Sequence, residues 1–193
     1  EDCEKLPPDK IVEFHNVVAK TLHATKRARP DTCTAVSFLT TRAREPDKDD
    51  WKKLTHLMRH VRGARKMPLI SSADGAHILK WWVDASFAVH PNMRGHSGGG
   101  LSMGRGFPDM GSSEHNMNTR SSTESEIAAA DHFMPAICWT RCFMEAQGCK
   151  AQDNILHQDN KSSILLERNG KASSSKRTKH VNIRHFFIAD RVM

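Results

Sequence analysis

The stretch WWVDASFAV, Trp81 to Val89, sets one acidic residue inside an otherwise apolar run. With Leu79 it places Leu79, Trp81, Val83, Ala85, Phe87 and Val89 on one face at period two, the pattern of a strand over residues 77–89. Asp84 falls on the opposite face. Aspartate is depleted in strands, and a carboxylate placed among core residues costs on the order of several kcal/mol unless it is paired or holds a metal. A strand that ends early, with Asp84 in a turn, would give the same local pattern. Two acids elsewhere shift the balance: Glu126 in SSTESEIAAA and Asp159 in ILHQDN sit where a long helix and a second strand would carry them to the same place.

The chain has 193 residues, enough for one large domain or two small ones with a real core. Lys plus Arg number 29 against 22 for Asp plus Glu, a net charge of +7. The basic residues cluster at 26–29 (KRAR), 59–66 (RHVRGARK) and 171–184, which suits a polyanionic partner, nucleic acid before membrane. A solvated basic surface is the bland reading of the same runs. No apolar run approaches the roughly 18 residues a membrane span needs, and no segment reads as a secretory leader. A start at Glu1 suggests a piece excised from a longer chain. The five cysteines have no framework spacing and no paired C-x-x-C. His132 and His157 could join a zinc site with Cys138, Cys142 or Cys149, but buried reduced thiols fit better, implying an intracellular compartment.

Residues 1–10 read as a polar tail. Helices are expected from Ile11 to about Thr25, on Phe14, Val18, Thr21 and Leu22, and from Pro30 to near Arg44, on Ala35, Phe38 and Leu39. A third starts at Asp49-Asp50, whose carboxylates favour the helix dipole, and carries Trp51, Leu54, Leu57, Met58 and Val61. Pro68 and SSADG (71–75) read as a linker. Beyond it the period changes to that of strands. HSGGG (96–100) reads as a glycine-rich turn into a second strand, LSMGRG, and a third covers about 107–117. A phosphate-cradling loop is disfavoured there because no Lys-Ser/Thr follows.

A long helix is expected from about Ser122 to Ala146, with Ile127, Ala130, Met134, Cys138 and Cys142 as its buried stripe and Pro135 as a kink or restart. Ser121 and Glu124 fit a capping box, which gives Glu124 a structural task and leaves Glu126 free. Asn154 to Asp159 reads as a strand ending on an acid, followed by a short helix over 161–168, a loop and a last strand-to-helix element in VNIRHFFIADRVM. The result is an α/β chain: a helical segment, 1–75 including the linker, then a mixed sheet with helices on its faces over 76–193.

In this order, WWVDASFAV, SSTESEIAAA, ILHQDNKSSILL and KRTKHVNIRHFF resemble the ribonuclease H domain of copia-type LTR retrotransposon polyproteins. HATKRARPDTCTAVSFLTTR and DDWKKLTHLMRHVRGARK are similar to the helical end of the reverse transcriptase that precedes it. The resemblance implies a ribonuclease H-like fold with a five-stranded mixed sheet, in a cytoplasmic retrotransposon particle, alongside an upstream polymerase domain. It makes Asp84, Glu126 and Asp159 the catalytic acids, and the reaction cleavage of the RNA strand of an RNA–DNA hybrid. Converging carboxylates suit two Mg²⁺ ions, or Mn²⁺, which prefer oxygen ligands and offset the charge of a phosphodiester. Lys176, Arg177 and Lys179, with His180 and Asn160, would hold the hybrid by its backbone.

The sequence departs from that family at two places. Asn182 stands in H-V-N-I-R where the family commonly has an acid, which leaves Asn182 or His185, rather than Asp190, to line the metal site. The paired-aspartate motif of a polymerase is absent, and the chain has no tyrosine. Two other readings share the basic surface: an inactive nucleic-acid-binding or connection module, such as a decayed element copy would be, and an integrase-type nuclease of the same fold. The order strand acid, helix glutamate, strand acid argues against the integrase.

Overall fold

A computed structural model of the chain describes residues 3–169 and Ile188. These divide into two compact units, Glu1–Ile70 and Ser71–Met193.

The first unit packs three helices, α1 (Pro8–Thr25), α2 (Cys33–Arg42) and α3 (Lys48–Gly63), with a 3₁₀ turn at Pro30–Thr32. The segment read as a tail is partly structured. Pro8 opens α1, where a fixed φ and a missing N–H do no harm. The Leu6 N–H donates to the Pro46 carbonyl (3.1 Å), and the Lys48 N–H to that of Glu4 (3.0 Å). The core is Phe14, Val18, Val36, Leu39, Leu54 and Leu57. The face of α2 is Cys33, Val36 and Leu39; Ala35 is exposed, because the 3₁₀ turn resets the phase of the helix. Asp50 does more than favour a dipole. Its Oδ2 accepts from the Asp47 N–H (3.2 Å) while Asp47 Oδ1 accepts from the Asp50 N–H (2.8 Å), a capping box. Arg42 Nε donates to the same buried carboxylate at 2.9 Å.

In the second unit a four-stranded sheet runs β5-β3-β2-β6. Strand β2 (Ile78–Ser86) is antiparallel to β3 (His96–Ser102) and parallel to β6 (Asp153–His157), and β5 (Asp109–Glu114) is antiparallel to β3. Helices α4 (Ser122–Ala146) and α5 (Lys161–Asn169) complete it, and a two-stranded ribbon, β1 (Ser72–Ala73) with β4 (Gly104–Arg105), flanks it. This is mixed α/β with a mixed sheet, consistent with the ribonuclease H-like class expected. The last expected strand and helix lie outside the described residues, Ile188 excepted.

Helix α4 covers the Leu79-Trp81-Val83 face of β2 with Ile127, Ala130, Phe133, Met134 and Ile137. Several sequence expectations change here. The alternation of β2 stops at Ala85, because the backbone turns away at Ala88 (φ 52°) and leaves Phe87 44% and Val89 55% exposed. The HSGGG segment is not a turn but the body of β3. A Cβ at Gly99 would lie 2.8 Å from the Phe133 ring, and one at Gly111 of β5 2.9 Å from it. The glycines let the helix close on the sheet. The third strand is shorter than expected, and part of the linker forms β1 against β4. Helix α4 runs through Pro135 as one element. The proline is on the exposed side, where water can reach the carbonyl it cannot serve. Of the expected stripe, Cys138 is half-buried and Cys142 exposed, their places in the core taken by Phe133 and Ile137. All five cysteines are free thiols, but only Cys33 is buried.

Candidate active site

Three chain segments meet at one end of the sheet. The parallel register pairs Trp82 with His157, so Asp84 and Asp159, each two residues further on, leave the same end. Asp159 lies just past β6, whose last residue is His157. Helix α4 brings Glu126 in from its second turn. Ser121 caps that helix by accepting from the Glu124 N–H (3.2 Å), and Glu124 Oε2 accepts from the Arg120 N–H (2.7 Å). Glu124 is therefore spent on the helix start, though through the Arg120 N–H rather than the Ser121 N–H that a full capping box would use. Glu126 points inward and is 5% exposed, in the midst of the buried run Ser125–Ala130.

One carboxylate oxygen from each of Asp84, Glu126 and Asp159 lies within 4.8 Å of the other two. Among the described residues this is the one group of three or more histidine, cysteine, aspartate or glutamate side chains able to hold a metal ion; His132 and His157 form none. Asp84 Oδ1 accepts from the Ala85 N–H (2.8 Å), which fixes that carboxylate on its own strand. Glu126 Oε2 accepts from Gln158 Nε2 at 3.4 Å. Burial pushes the Glu126 carboxyl up to about 7, the Gln158 hydrogen bond works against it, and the charges of Asp84 and Asp159 add to the rise. The donor set fits a hard divalent cation: three carboxylates, all oxygen, and a concentration of negative charge that a cation would relieve. Trp82 and His157 stack one register step away, ring centroids 4.8 Å apart.

The other expected site residues fare differently. Asn160 caps α5, its Oδ1 accepting from the Ser162 and Ser163 N–H groups at 3.1 Å each. Lys176, Arg177, Lys179, His180, Asn182, His185 and Asp190 lie outside the described residues. In the first unit the two basic runs come together, since Arg29 Nη1 donates to the Val61 carbonyl (3.5 Å) and Asp31 bonds both Arg29 and His60. One acidic residue escaped the sequence reading. Glu167 of α5 is 5% exposed, while Leu165 on the same helix is 58% exposed. No periodicity rule buries a glutamate and exposes its leucine neighbour, so only the tertiary arrangement reveals it.

Compared with known proteins, the chain is 26% identical over 182 residues to the retrovirus-related Pol polyprotein from transposon TNT 1-94 of Nicotiana tabacum. The chain is similar to part of a retrotransposon polyprotein. The alignment takes in 94% of the chain but 14% of the length of that relative. No family model matches, and no solved structure matches. The similarity supports a place within a retroelement polyprotein. Among the described residues no helix is long and apolar enough to cross a membrane.

Proposed function

We propose that the second unit is a metal-dependent ribonuclease H, cleaving the RNA strand of RNA–DNA hybrids within a retrotransposon Pol polyprotein, and that residues 1–75 are the helical end of its reverse transcriptase and the linker. The observation that carries this reading is the convergence of Asp84, Glu126 and Asp159 within 4.8 Å, from a strand, a helix and the end of a parallel strand in that order. The similarity to a Pol polyprotein over 94% of the chain supports the same setting, with the upstream polymerase as neighbour and the hybrid as partner.

When bound, two Mg²⁺ or Mn²⁺ ions would supply charge neutralisation at the phosphate, an acidified water and stabilisation of the leaving oxygen. Asp84, Glu126 and Asp159 would hold them. Asp84 is fixed by the Ala85 N–H and keeps its second oxygen for the site. Glu126 accepts a hydrogen bond from Gln158, which restrains its carboxylate. The RNA strand would be told from DNA by its 2′-hydroxyl groups, in the groove facing the acids.

A gel assay on a labelled hybrid, with and without Mg²⁺, tests the reading. The parent chain should cleave only with the metal. Asp84→Asn should abolish cleavage and leave hybrid binding, read by fluorescence anisotropy, largely intact, because it removes a metal ligand and no phosphate contact. Cleavage by Asp84→Asn at the parent rate would refute the assignment. A parent that binds hybrid but never cleaves it would favour a connection module.

A further inference from the structure

The segment that leads out of β2, residues 87–95, is tied to the sheet by imidazoles rather than by apolar packing. Phe87, Val89 and Met93 of this loop are exposed, whereas His90 is 6% exposed. The His90 N–H donates to the Arg94 carbonyl (3.1 Å) and the His90 carbonyl accepts from the Met93 N–H (2.8 Å), so His90 closes the turn in which Met93 has φ 60°. Its Nε2 lies 3.0 Å from Nδ1 of His96, the first residue of β3, and His96 Nε2 lies 2.6 Å from Ser112 Oγ of β5. One chain of hydrogen bonds joins the loop to two strands. A second tie runs through Glu114 of β5, whose Oε1 accepts from Asn92 Nδ2 (2.7 Å) and Arg94 Nη1 (3.5 Å).

We infer that the His90–His96 pair is a pH-sensitive lock, which holds residues 87–95 against β3 and β5 near neutral pH and releases them in acid. The number of protons decides it. Two ring nitrogens 3.0 Å apart need one proton between them. Two neutral imidazoles provide it, and so does one imidazole with one imidazolium. Two imidazoliums cannot, because each nitrogen then carries a hydrogen and like charges meet in a partly buried place. The closed loop therefore takes up at most one proton, while the open loop takes up two, at the ordinary histidine value of about 6.5. The surroundings lean the same way. Burial, and then the charges of His90 and His115, hold the His96 imidazole below its ordinary range, while Glu114 works against them. Arg94 sets a further positive charge beside Glu114, and Asp131 and His132 of α4 line the cavity that His115 and Glu114 share. A histidine depressed in the fold stabilises it above about 6.5 and loses that contribution as pH falls, so acid opens the loop. With one proton more in the open state, the opening constant rises about tenfold for each pH unit below about 6.5. The lock stands apart from the acidic triad, which includes none of these groups.

Hydrogen exchange of the loop amides measures that constant, by mass spectrometry on the full chain and corrected for the intrinsic pH dependence of exchange. In the parent it should rise about tenfold from about pH 6 to about pH 5. His90→Gln keeps an amide where Nε2 stood and cannot be protonated. Closed and open loops then take up the same proton on His96, and the profile should be flat. If His90→Gln does not fold at neutral pH, His96→Asn, whose amide stands where Nδ1 stood, replaces it with the same expectation. A flat parent profile, or a variant as steep as the parent, overturns the inference. Where neither variant folds, nitrogen-15 spectra of the parent imidazoles below about pH 6 decide. One imidazolium shared by His90 and His96 in the closed loop upholds the lock; two overturn it.

Discussion

The closure of α4 on the glycine strand gives a prediction with a change of sign. A Cβ added at Gly99 would meet Cε1, Cε2 and Cζ of Phe133, all at 2.8 Å. Carbon atoms pack best about 3.5–4.0 Å apart, so the contact is short by roughly an ångström. The ring has little room to retreat, since Phe133 is 6% exposed in the core. Overpacking of this kind costs about 1–3 kcal/mol. Against it, alanine in an ordinary strand conformation restricts the unfolded chain and stabilises by about 0.4–1 kcal/mol. Gly99→Ala should therefore destabilise the parent by about 0–2.6 kcal/mol, centred near 1, the difference of those two terms. Phe133→Ala alone should cost about 3–5 kcal/mol. In that background the clash is gone, and Gly99→Ala should stabilise by about 0.4–1 kcal/mol. Urea unfolding followed by tryptophan fluorescence reads all four chains, because Trp81 is buried in the same core. If Gly99→Ala has the same sign with and without the Phe133 ring, the account of why β3 is glycine-rich is wrong.

Three further outcomes follow from the site and its supports. Glu126 and Glu167 both hold protons up to about 7, above the ordinary 4.5, so the folded chain binds more protons than the unfolded one between those values. Their contribution to metal-free stability is full below 4.5 and is lost as pH rises through 7; thermal melts across that window should decline, and Glu126→Gln with Glu167→Gln should flatten the decline. Mn²⁺ added near neutral pH should raise the unfolding midpoint of the parent and not that of Asp84→Asn, by ordinary ligand linkage in calorimetric scans. Ser121→Ala removes the cap of α4 and should cost about 1 kcal/mol in urea unfolding, with weaker Mn²⁺ binding because Glu126 sits on the second turn.

Much of the fold was legible because periodicity is a local property. The helical rhythm of α1, α3 and α4 and the alternation up to Ala85 are written in consecutive residues, and so is the capping role of Ser121. The carboxyl triad was legible too, through the order of its surrounding motifs. What failed depended on partners distant in sequence. A run of three glycines reads as a turn until an aromatic ring on a helix is known to press on it. Cys142, expected in the buried stripe of α4, is exposed, because the helix meets the sheet through Phe133 and Ile137 instead. Glu167 was illegible for the same reason: tertiary packing buries it, against its own hydropathy.

The parallel pairing of β2 with β6 also places a clock on the site. Asp84 and Asp159 are 159 − 84 = 75 positions apart, and α4 must cross over between their strands before they meet. At about 5–20 residues per second on a ribosome, Asp84 waits roughly 4–15 s for its partner to be synthesised. Until then Glu126 and Asp84 belong to a half-built sheet whose β2 edge is open. The register that joins β2 to β6 is the event that closes that edge and completes the acidic cluster together. Cation binding by nascent chains of increasing length would therefore appear in one step, at the length that frees Asp159 from the exit tunnel.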